Sequence, residues 1–292
     1  MRAVLIVNPF ASRVTDALVA EVERVLQPLR TVRTERAGHA AELAGEVASG
    51  EIVVFSGDGG FNEALNGVRP GVAVGFVPGG GTSVLPRALG LPRDPVQAAR
   101  RIALSLELGR RRRIGLGRVN GRRFAFSAGV GLDAELVRRM DERGRDPGGR
   151  RPGDLVFAWT VVRTLAETRA RFEPVLELVG HGRAAFALVG NCDPYTYAGR
   201  VPLRITPAAR FELGLDVTAP RRVRPLSLPR FVAYIVSGRG HSRARDLVYG
   251  HDLDRLELRC DVPLPLQVDG EDLGDVTEAH FEAERDVLDV LV

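Results

Sequence analysis

The sequence predicts an α/β fold: a parallel-sheet unit followed by a strand-rich, β-sandwich-like one. Three observations carry that expectation. Through the first ninety or so residues, short apolar runs alternate with helically spaced segments. Two of those runs end in glycine clusters about twenty residues apart, and after residue 113 short apolar or alternating segments dominate. The first unit is placed at residues 1–113, with the tail 283–292 returning to it, and the second at residues 114–282.

In chain order, Ala3 to Val7 is continuously apolar, as a strand covered on both faces must be. Asn8-Pro9-Phe10-Ala11-Ser12 turns out of it. Thr15 to Leu29 places Leu18, Val22, Val25, Leu26 and Leu29 on one helical face. Thr31 to Thr34 reads as the second strand, a helix opens at Gly38 to Ala44, and Ile52 to Phe55 is the third strand. Ser56-Gly57-Asp58-Gly59-Gly60 then leads into a helix through Gly67. Val72 to Val77 repeats the pattern, with Pro78-Gly79-Gly80-Gly81-Thr82-Ser83 as its turn and Val84 to Leu89 as its helix. Pro95 to Leu106 is a further helix, and Arg110 to Arg113 a polar connection.

Beyond it, Phe124 to Ser127, Val175 to Val179, Ala184 to Val189, Gly214 to Val217, Arg255 to Leu258 and Leu264 to Val268 are strand candidates. Asp133 to Met140, Asp154 to Thr168 and Leu228 to Val236 are helix candidates. Asp141 to Gly153, rich in glycine, proline and arginine, reads as a mobile loop.

Composition narrows the function. With 45% apolar and 27% charged residues the chain is globular, no apolar run reaches a membrane span, and the first residues read as a strand rather than a signal peptide. A cytoplasmic protein is expected. Cys192 and Cys260 make neither a disulfide framework nor a zinc site, and both are expected to be inert thiols. All 41 basic residues are arginine. The absence of lysine excludes a Walker lysine, a Schiff base and a lysine general base, so cationic help to a phosphoryl group must come from arginine or a metal ion. Arginines cluster at 110–113, 138–151, 221–230 and 239–245, which is either solvated surface or a face drawn to anionic lipid headgroups. Nucleic acid is a poor partner, since aromatics are few and not interleaved with the arginines.

The two glycine turns carry the chemistry. Glycine admits positive φ and close backbone approach, and a helix start after it offers unpaired N–H groups to an anion. Loops leaving the carboxyl ends of neighbouring parallel strands converge on one crevice, so the pair can share one polyphosphate. Asp58 is anomalous there, because a carboxylate repels phosphate unless a metal ion or a reacting hydroxyl stands between them. Gly129-Val130-Gly131-Leu132-Asp133-Ala134 also fits a dinucleotide pattern, but no second strand ending in an acidic residue follows, so these glycines are read as structural.

The segments S-G-D-G-G-F-N-E-A-L-N-G, from Ser56 to Gly67, and P-G-G-G-T-S-V-L-P-R, from Pro78 to Arg87, resemble the diacylglycerol kinase catalytic domain family. That family includes bacterial lipid kinases and sphingosine kinases, and NAD kinases resemble it more distantly. The resemblance implies an ATP- and Mg²⁺-dependent transferase of lipid metabolism and phospholipid biosynthesis. It would pass the γ-phosphoryl of ATP to a hydroxyl of diacylglycerol or a related lipid, with the site between the two units. Asn8, Thr34, Ser56, Gly57, Asp58, Gly59, Gly60, Asn62, Glu63, Gly80, Gly81, Thr82 and Ser83 would bind the nucleotide. Asp58 would hold metal or substrate, and Glu271 or Asp269 of Asp269-Gly270-Glu271 would be the general base, with Glu271 favoured. Read without the resemblance, that segment is a hairpin turn.

Phe211 to Val217 resembles the family's D-G-x-L-D-V stretch, which implies a structural magnesium at Glu212 with the carbonyls of Ala209 and Gly214. Glutamate replaces its first aspartate, and Leu213 its glycine. Gly60 and Gly81 stand where the family has threonine, Ser83 where it has asparagine, and Ser56 where most members have glycine. These departures leave open a catalytically weakened regulatory module, and a sphingoid or soluble alcohol as substrate. The partners implied are a lipid at the membrane surface and peripheral membrane contact, the latter through Arg138 to Arg151 and the helix with Phe157 and Trp159. A homodimer is left open.

Overall fold

The computed structural model describes residues 3–144 and 154–292. These form two compact units, residues 1–116 with 285–292, and residues 117–284.

In the first unit, β1 (Ala3–Val7), α1 (Asp16–Leu26), β2 (Arg30–Arg33), α2 (His39–Glu46), β3 (Glu51–Ser56), α3 (Asp58–Gly67), β4 (Ala73–Pro78), α4 (Val84–Ala88) and α5 (Pro95–Leu108) alternate as expected. The strands are parallel in the order β4-β3-β1-β2. Their residues point alternately to two covered faces, which is why β1, Ile52 to Phe55 of β3, and β4 are without charged or polar side chains. Leu5, Val7, Val53, Phe55 and Val77 pack with Val19 and Val22 of α1 and Ile102 of α5. On α3, Phe61 meets Phe76 of β4 edge-on at 5.2 Å.

Helix ends follow local chemistry. The Thr15 hydroxyl accepts from the Leu18 amide, and the Asp94 carboxylate from the Gln97 amide just before Pro95. Each such cap stabilises its helix by about 1 kcal/mol. The pairing of Val7 with Phe55, and of Ser56 with Pro78, brings the carboxyl ends of β1, β3 and β4 level, so both glycine turns leave from one end of the sheet. In the tail, Val290 lies beside Val74, and the Leu291 amide donates to the Val74 carbonyl.

β5 (Arg112–Val119) starts inside the segment expected to be a polar connection and leads into the second unit. There follow β6 (Arg122–Phe124), β7 (Ser127–Val130), α6 (Leu132–Glu142), α7 (Asp154–Glu167), β8 (Leu176–Leu178), β9 (Gly182–Ala184), β10 (Ala187–Gly190), β11 (Thr196–Ala198), β12 (Val201–Leu203), β13 (Leu215–Pro220), α8 (Leu228–Ser237), β14 (Leu247–Leu253), β15 (Arg255–Val268) and β16 (Glu271–Val290).

Several expectations are corrected here. The strand expected at Phe124 to Ser127 is broken at Ala125 and Phe126, whose amides go to a side chain instead of a ladder. Ala184 to Val189 is two strands. Arg255 to Leu258 and Leu264 to Val268 are one strand, bulged between Arg259 and Leu264 where Pro263 lacks the N–H a ladder needs. The 20-residue β16 is not among the expected strands, because acidic and polar residues dilute its alternation. Asp141 and Glu142 close α6, and the rest of the expected mobile loop lies mostly outside the described residues.

β15 organises the second unit. Its first part pairs with β8 and its last part with β7, while β16 runs beside both. The strands β7-β10-β13-β14 extend one side and β8-β9 the other, around a core that includes Val130, Leu178, Val189, Val217, Leu258 and Phe281. Phe281 meets Phe124 edge-on at 6.3 Å. We expect Phe281→Ala to lower unfolding free energy by about 3–5 kcal/mol, read by urea denaturation with an unchanged m-value.

Candidate functional site

At the carboxyl ends of β3 and β4 the two glycine turns touch. A methyl group built on Gly80 would lie 2.9 Å from the Cα of Gly57, so position 80 has no room for a side chain, while one on Gly57 would touch Gly80 at 3.4 Å. Backbone bonds fix the approach: the Gly79 amide donates to the Ser56 carbonyl at 2.7 Å, and the Gly79 carbonyl accepts from the Arg13 amide at 2.9 Å. Positive φ, expected of these glycines, is not used by Gly57, Gly59, Gly60, Gly79, Gly80 or Gly81. Asp58 and both following glycines are already the first turn of α3.

Asp58 is where the reading changes most. Its Oδ2 accepts from the Val84 amide at 3.0 Å and its Oδ1 from the Leu85 amide at 3.2 Å. The charge that seemed to require a metal ion is answered by the start of α4, so Asp58 braces one turn against the other, and its expected role as metal ligand is not what the geometry shows. The amides of Gly59 and Gly60 have no acceptor among the described residues, and they sit at the positive end of a helix with no side-chain cap. Those two donors, unlike the Val84 and Leu85 amides of α4, are not engaged by Asp58.

Around them, the Asn8 amide donates to Phe55 and the Thr34 amide to Val7, each at 2.9 Å, which seats both residues beside β1. Asn8 Oδ1 also accepts from the Phe10 amide. Glu63 is half-buried on α3. Asn62 is fully buried, with Asn66 Nδ2 on its carbonyl and its Oδ1, so it supports α3 from within and does not face a nucleotide. Ser83 has φ +47, a left-handed conformation that asparagine adopts more readily than serine, and its hydroxyl donates to the Gly80 carbonyl. Arg87 reaches the Thr82 carbonyl, setting a guanidinium beside the second turn.

The departures at residues 56 and 60 prove to be one compensated change. A Cβ at Gly60 would lie 2.1 Å from Ser56 Oγ and 3.4 Å from Asn8 Nδ2. The Ser56 hydroxyl therefore fills the volume a side chain at 60 would occupy, and it is buried with no hydrogen-bond partner. Gly81 has no atom within 4 Å of a built Cβ, so nothing replaces a hydroxyl there.

In the second unit, Val268 pairs with Glu271, leaving Asp269 and Gly270 as a two-residue hairpin turn with φ +48 and +82. The buried Asp269 carboxylate accepts from the amides of Ala125, Phe126 and Ser127 at 2.7, 3.0 and 3.1 Å. It pins the break between β6 and β7, and a carboxylate so engaged is a structural anchor rather than a base. Glu271 is partly exposed and pairs with Arg122 at 3.4 Å. Of the two acids it is the one still able to meet a substrate.

A network that sequence reading missed adjoins this turn. The Tyr195 hydroxyl donates to Asp133 Oδ2 at 2.8 Å, Gln267 Nε2 donates to the same oxygen at 2.6 Å, and Gln267 Oε1 accepts from the Gly270 amide at 2.9 Å. A buried glutamine inside the apolar run Leu264 to Val268 was the available signal. Gly129 leaves room for the carboxylate, since a Cβ there would lie 2.6 Å from Asp133 Oδ2, so the dinucleotide-like glycines are structural. Burial pushes the Asp133 carboxyl above its ordinary range, with the bonds from Tyr195 and Gln267 opposing.

The magnesium implied at Glu212 does not fit. Glu212 is exposed, and Arg210 Nη1 lies 2.9 Å from the Ala209 carbonyl and 3.3 Å from that of Pro207. A guanidinium already occupies the acceptor a cation would need. The nearby Asp216 carboxylate is taken up by Tyr249, His251 and the Asp252 amide. Among the described residues no group of three or more His, Cys, Asp or Glu could hold a metal ion. Cys192 is buried, and burial, then Asp261, push the Cys260 thiol up to about 11, which suits the inert thiols expected.

Two predictions follow from this geometry. Gly60→Thr should destabilise the first unit by about 1–3 kcal/mol through overpacking on Ser56, and Ser56→Gly/Gly60→Thr should recover most of it. Thermal melts of the four proteins test this, and additive losses would refute the exchange. For Asp133, the raised folded value means the folded chain retains a proton the unfolded chain releases, so its contribution to stability falls as pH rises above 3.8. Relative to Asp133→Asn, the wild type should lose stability between pH 4 and its raised value, measured by denaturation across that range.

Comparisons with known proteins agree with the fold and with the first unit's motifs. The family model described as diacylglycerol kinase catalytic domain matches residues 2–119. A diacylglycerol kinase of Bacillus subtilis (strain 168) is 32% identical over 149 residues, covering 47% of this chain and 48% of that protein, about half its length. A diacylglycerol kinase structure from Bacillus anthracis str. Sterne has TM-score 0.70 at 19% identity, covering 99% of this chain and 96% of its own. An NAD kinase from Archaeoglobus fulgidus in complex with ATP has TM-score 0.54 at 11% identity, covering 100% and 94%. At such identities the two structures establish the fold alone. Residues 2–119 are thus similar to the diacylglycerol kinase catalytic domain, and the chain as a whole has a fold like that of the diacylglycerol and NAD kinase structures.

Proposed function

We propose that the protein is an ATP-dependent lipid kinase that phosphorylates a hydroxyl of diacylglycerol or a related lipid. The observation that carries this reading is the pair of glycine turns braced by Asp58, which presents the Gly59 and Gly60 amides at the carboxyl ends of β3 and β4. Support comes from the family match over the same residues and from the ATP complex of the NAD kinase with this fold.

In this reading ATP enters as its magnesium complex, the metal travelling with the substrate. The amides of Gly59 and Gly60 hold phosphate oxygens, and Arg87 supplies the cation that lysine gives elsewhere. The lipid hydroxyl oxygen attacks the γ-phosphorus, the bond from that phosphorus to the β–γ bridging oxygen breaks, and ADP leaves. The hydroxyl proton passes to the Glu271 carboxylate. Little covalent chemistry is asked of the protein beyond positioning and charge. A substrate whose chains stay in the bilayer requires peripheral contact with a membrane, and among the described residues no helix is long and apolar enough to cross one. Trp159 of α7, 61% exposed, suits such contact.

The experiment is transfer from γ-labelled ATP to extracted lipids. Asp58→Asn turns an N–H toward one of the two α4 amides, so it should lower kcat/KM for ATP by roughly 10–100-fold and also lower the melting temperature. Glu271→Gln should lower kcat about 10²–10⁴-fold with ATP affinity unchanged. ATP binding without transfer to any lipid or alcohol would favour a regulatory module, the reading that the vacant space at Gly81 supports.

A further inference from the structure

The outward face of α8 is apolar along its whole length. Pro229, Val232, Ala233 and Val236 stand at i, i+3, i+4 and i+7 and are all exposed, Val232 and Val236 to 57% and 54%. Leu226, one turn before them, is 96% exposed. The opposite face is spent on the core, where Phe231 packs with Leu228, Tyr234 and Ile235 against Phe186 and Ile205. A helix apolar on two opposite faces is ordinarily covered on both, yet among the described residues nothing covers the outward face of this one. The stretch of chain that contains α8 is basic: residues 217–245 hold seven arginines and no acidic residue. Arg222 and Arg224 pair with Glu173, and Arg230 with Asp246. Arg239, Arg243 and Arg245, just past the helix, are exposed and carry no ion pair among the described residues.

We infer that α8 is a membrane-docking helix that lies in the plane of an anionic bilayer surface. Leu226, Val232 and Val236 enter the acyl boundary, and Arg239, Arg243 and Arg245 meet the headgroups. An amphipathic helix at an interface needs such an apolar stripe beside basic residues. A second copy of this chain is the poorer occupant, because opposing two such faces brings arginines of both ends against arginines. The inference rests on the lipid-kinase reading for its purpose, though not for its geometry.

Sedimentation with phosphatidylcholine vesicles, with and without phosphatidylglycerol, tests it on the full chain. Binding should require the anionic lipid and weaken with salt. Leu226→Asp/Val232→Asp/Val236→Asp should weaken it by roughly tenfold or more, and each of Arg239→Glu, Arg243→Glu and Arg245→Glu by about fivefold. Transfer to detergent-dispersed lipid should be unaffected by any of them. Vesicle binding of the triple variant equal to wild type overturns the inference, as does a wild-type dimer that the triple variant dissociates without change in vesicle binding. A folding defect is bypassed by Val232→Trp in a Trp159→Phe background: a blue shift in its fluorescence on adding anionic vesicles supports docking, and an unmoved spectrum overturns it. Docking by α8 without phosphoryl transfer would leave this surface standing while the kinase reading falls, and transfer with vesicle binding indifferent to α8 would do the reverse.

Discussion

Everything distinctive about the first unit depends on one carboxylate held by two amides. Asp58 sits where an anion would seem out of place, and its oxygens take the Val84 and Leu85 N–H groups that open α4. That brace allows Gly57 and Gly80 to approach within a distance no side chain at position 80 would permit. It also divides the donors: the Val84 and Leu85 amides of α4 go to Asp58, while those of Gly59 and Gly60 on α3 are not engaged by it. Charge-assisted bonds of this kind contribute about 1.5–3 kcal/mol each, enough to hold two flexible loops in one arrangement.

The same economy recurs in the second unit. Asp269 resembles a candidate base by position, yet three backbone amides make it an anchor, and the break in the strand at Ala125 and Phe126 exists because their N–H groups serve that side chain. Glu271, two residues on, is left outward with Arg122 as partner. The two acids of one hairpin thus divide into a buried structural group and a partly exposed one. The buried triad of Asp133, Tyr195 and Gln267 holds the turn from its other side through the Gly270 amide.

The first unit was legible in the sequence because its signals are local and mutually consistent. Continuous apolar runs marked strands covered on both faces, helical spacing marked α1, and glycine clusters marked turns. What the sequence hid was long-range. Asp58 to Val84 spans 26 residues and Asp269 to Ala125 spans 144, and no periodicity reports such a pairing. Ser56 and Gly60 are near in sequence, but only the built Cβ distance reveals that the serine hydroxyl stands in for the missing side chain. β16 was underread for another reason: its outward positions carry Glu and Asp, which weigh against a strand in local propensity although the ladder with β15 settles it. The bulge in β15 likewise made one strand look like two.

The first unit is discontinuous in sequence, and that has a consequence for how the chain is made. Its sheet ends at β4, whose outer edge is occupied by Val290 and Leu291, with Leu291 buried in the core and Ser105 bonded to the Val292 carbonyl. On the ribosome the helices and strands through residue 116 emerge first, and the whole of residues 117–284 follows before that edge can be closed. Through that interval β4 presents unpaired parallel-strand amides and carbonyls beside an incompletely covered apolar face, a state prone to wrong partners. The native unit is therefore completed only once residues 285–292 have been made, and they act as its latch.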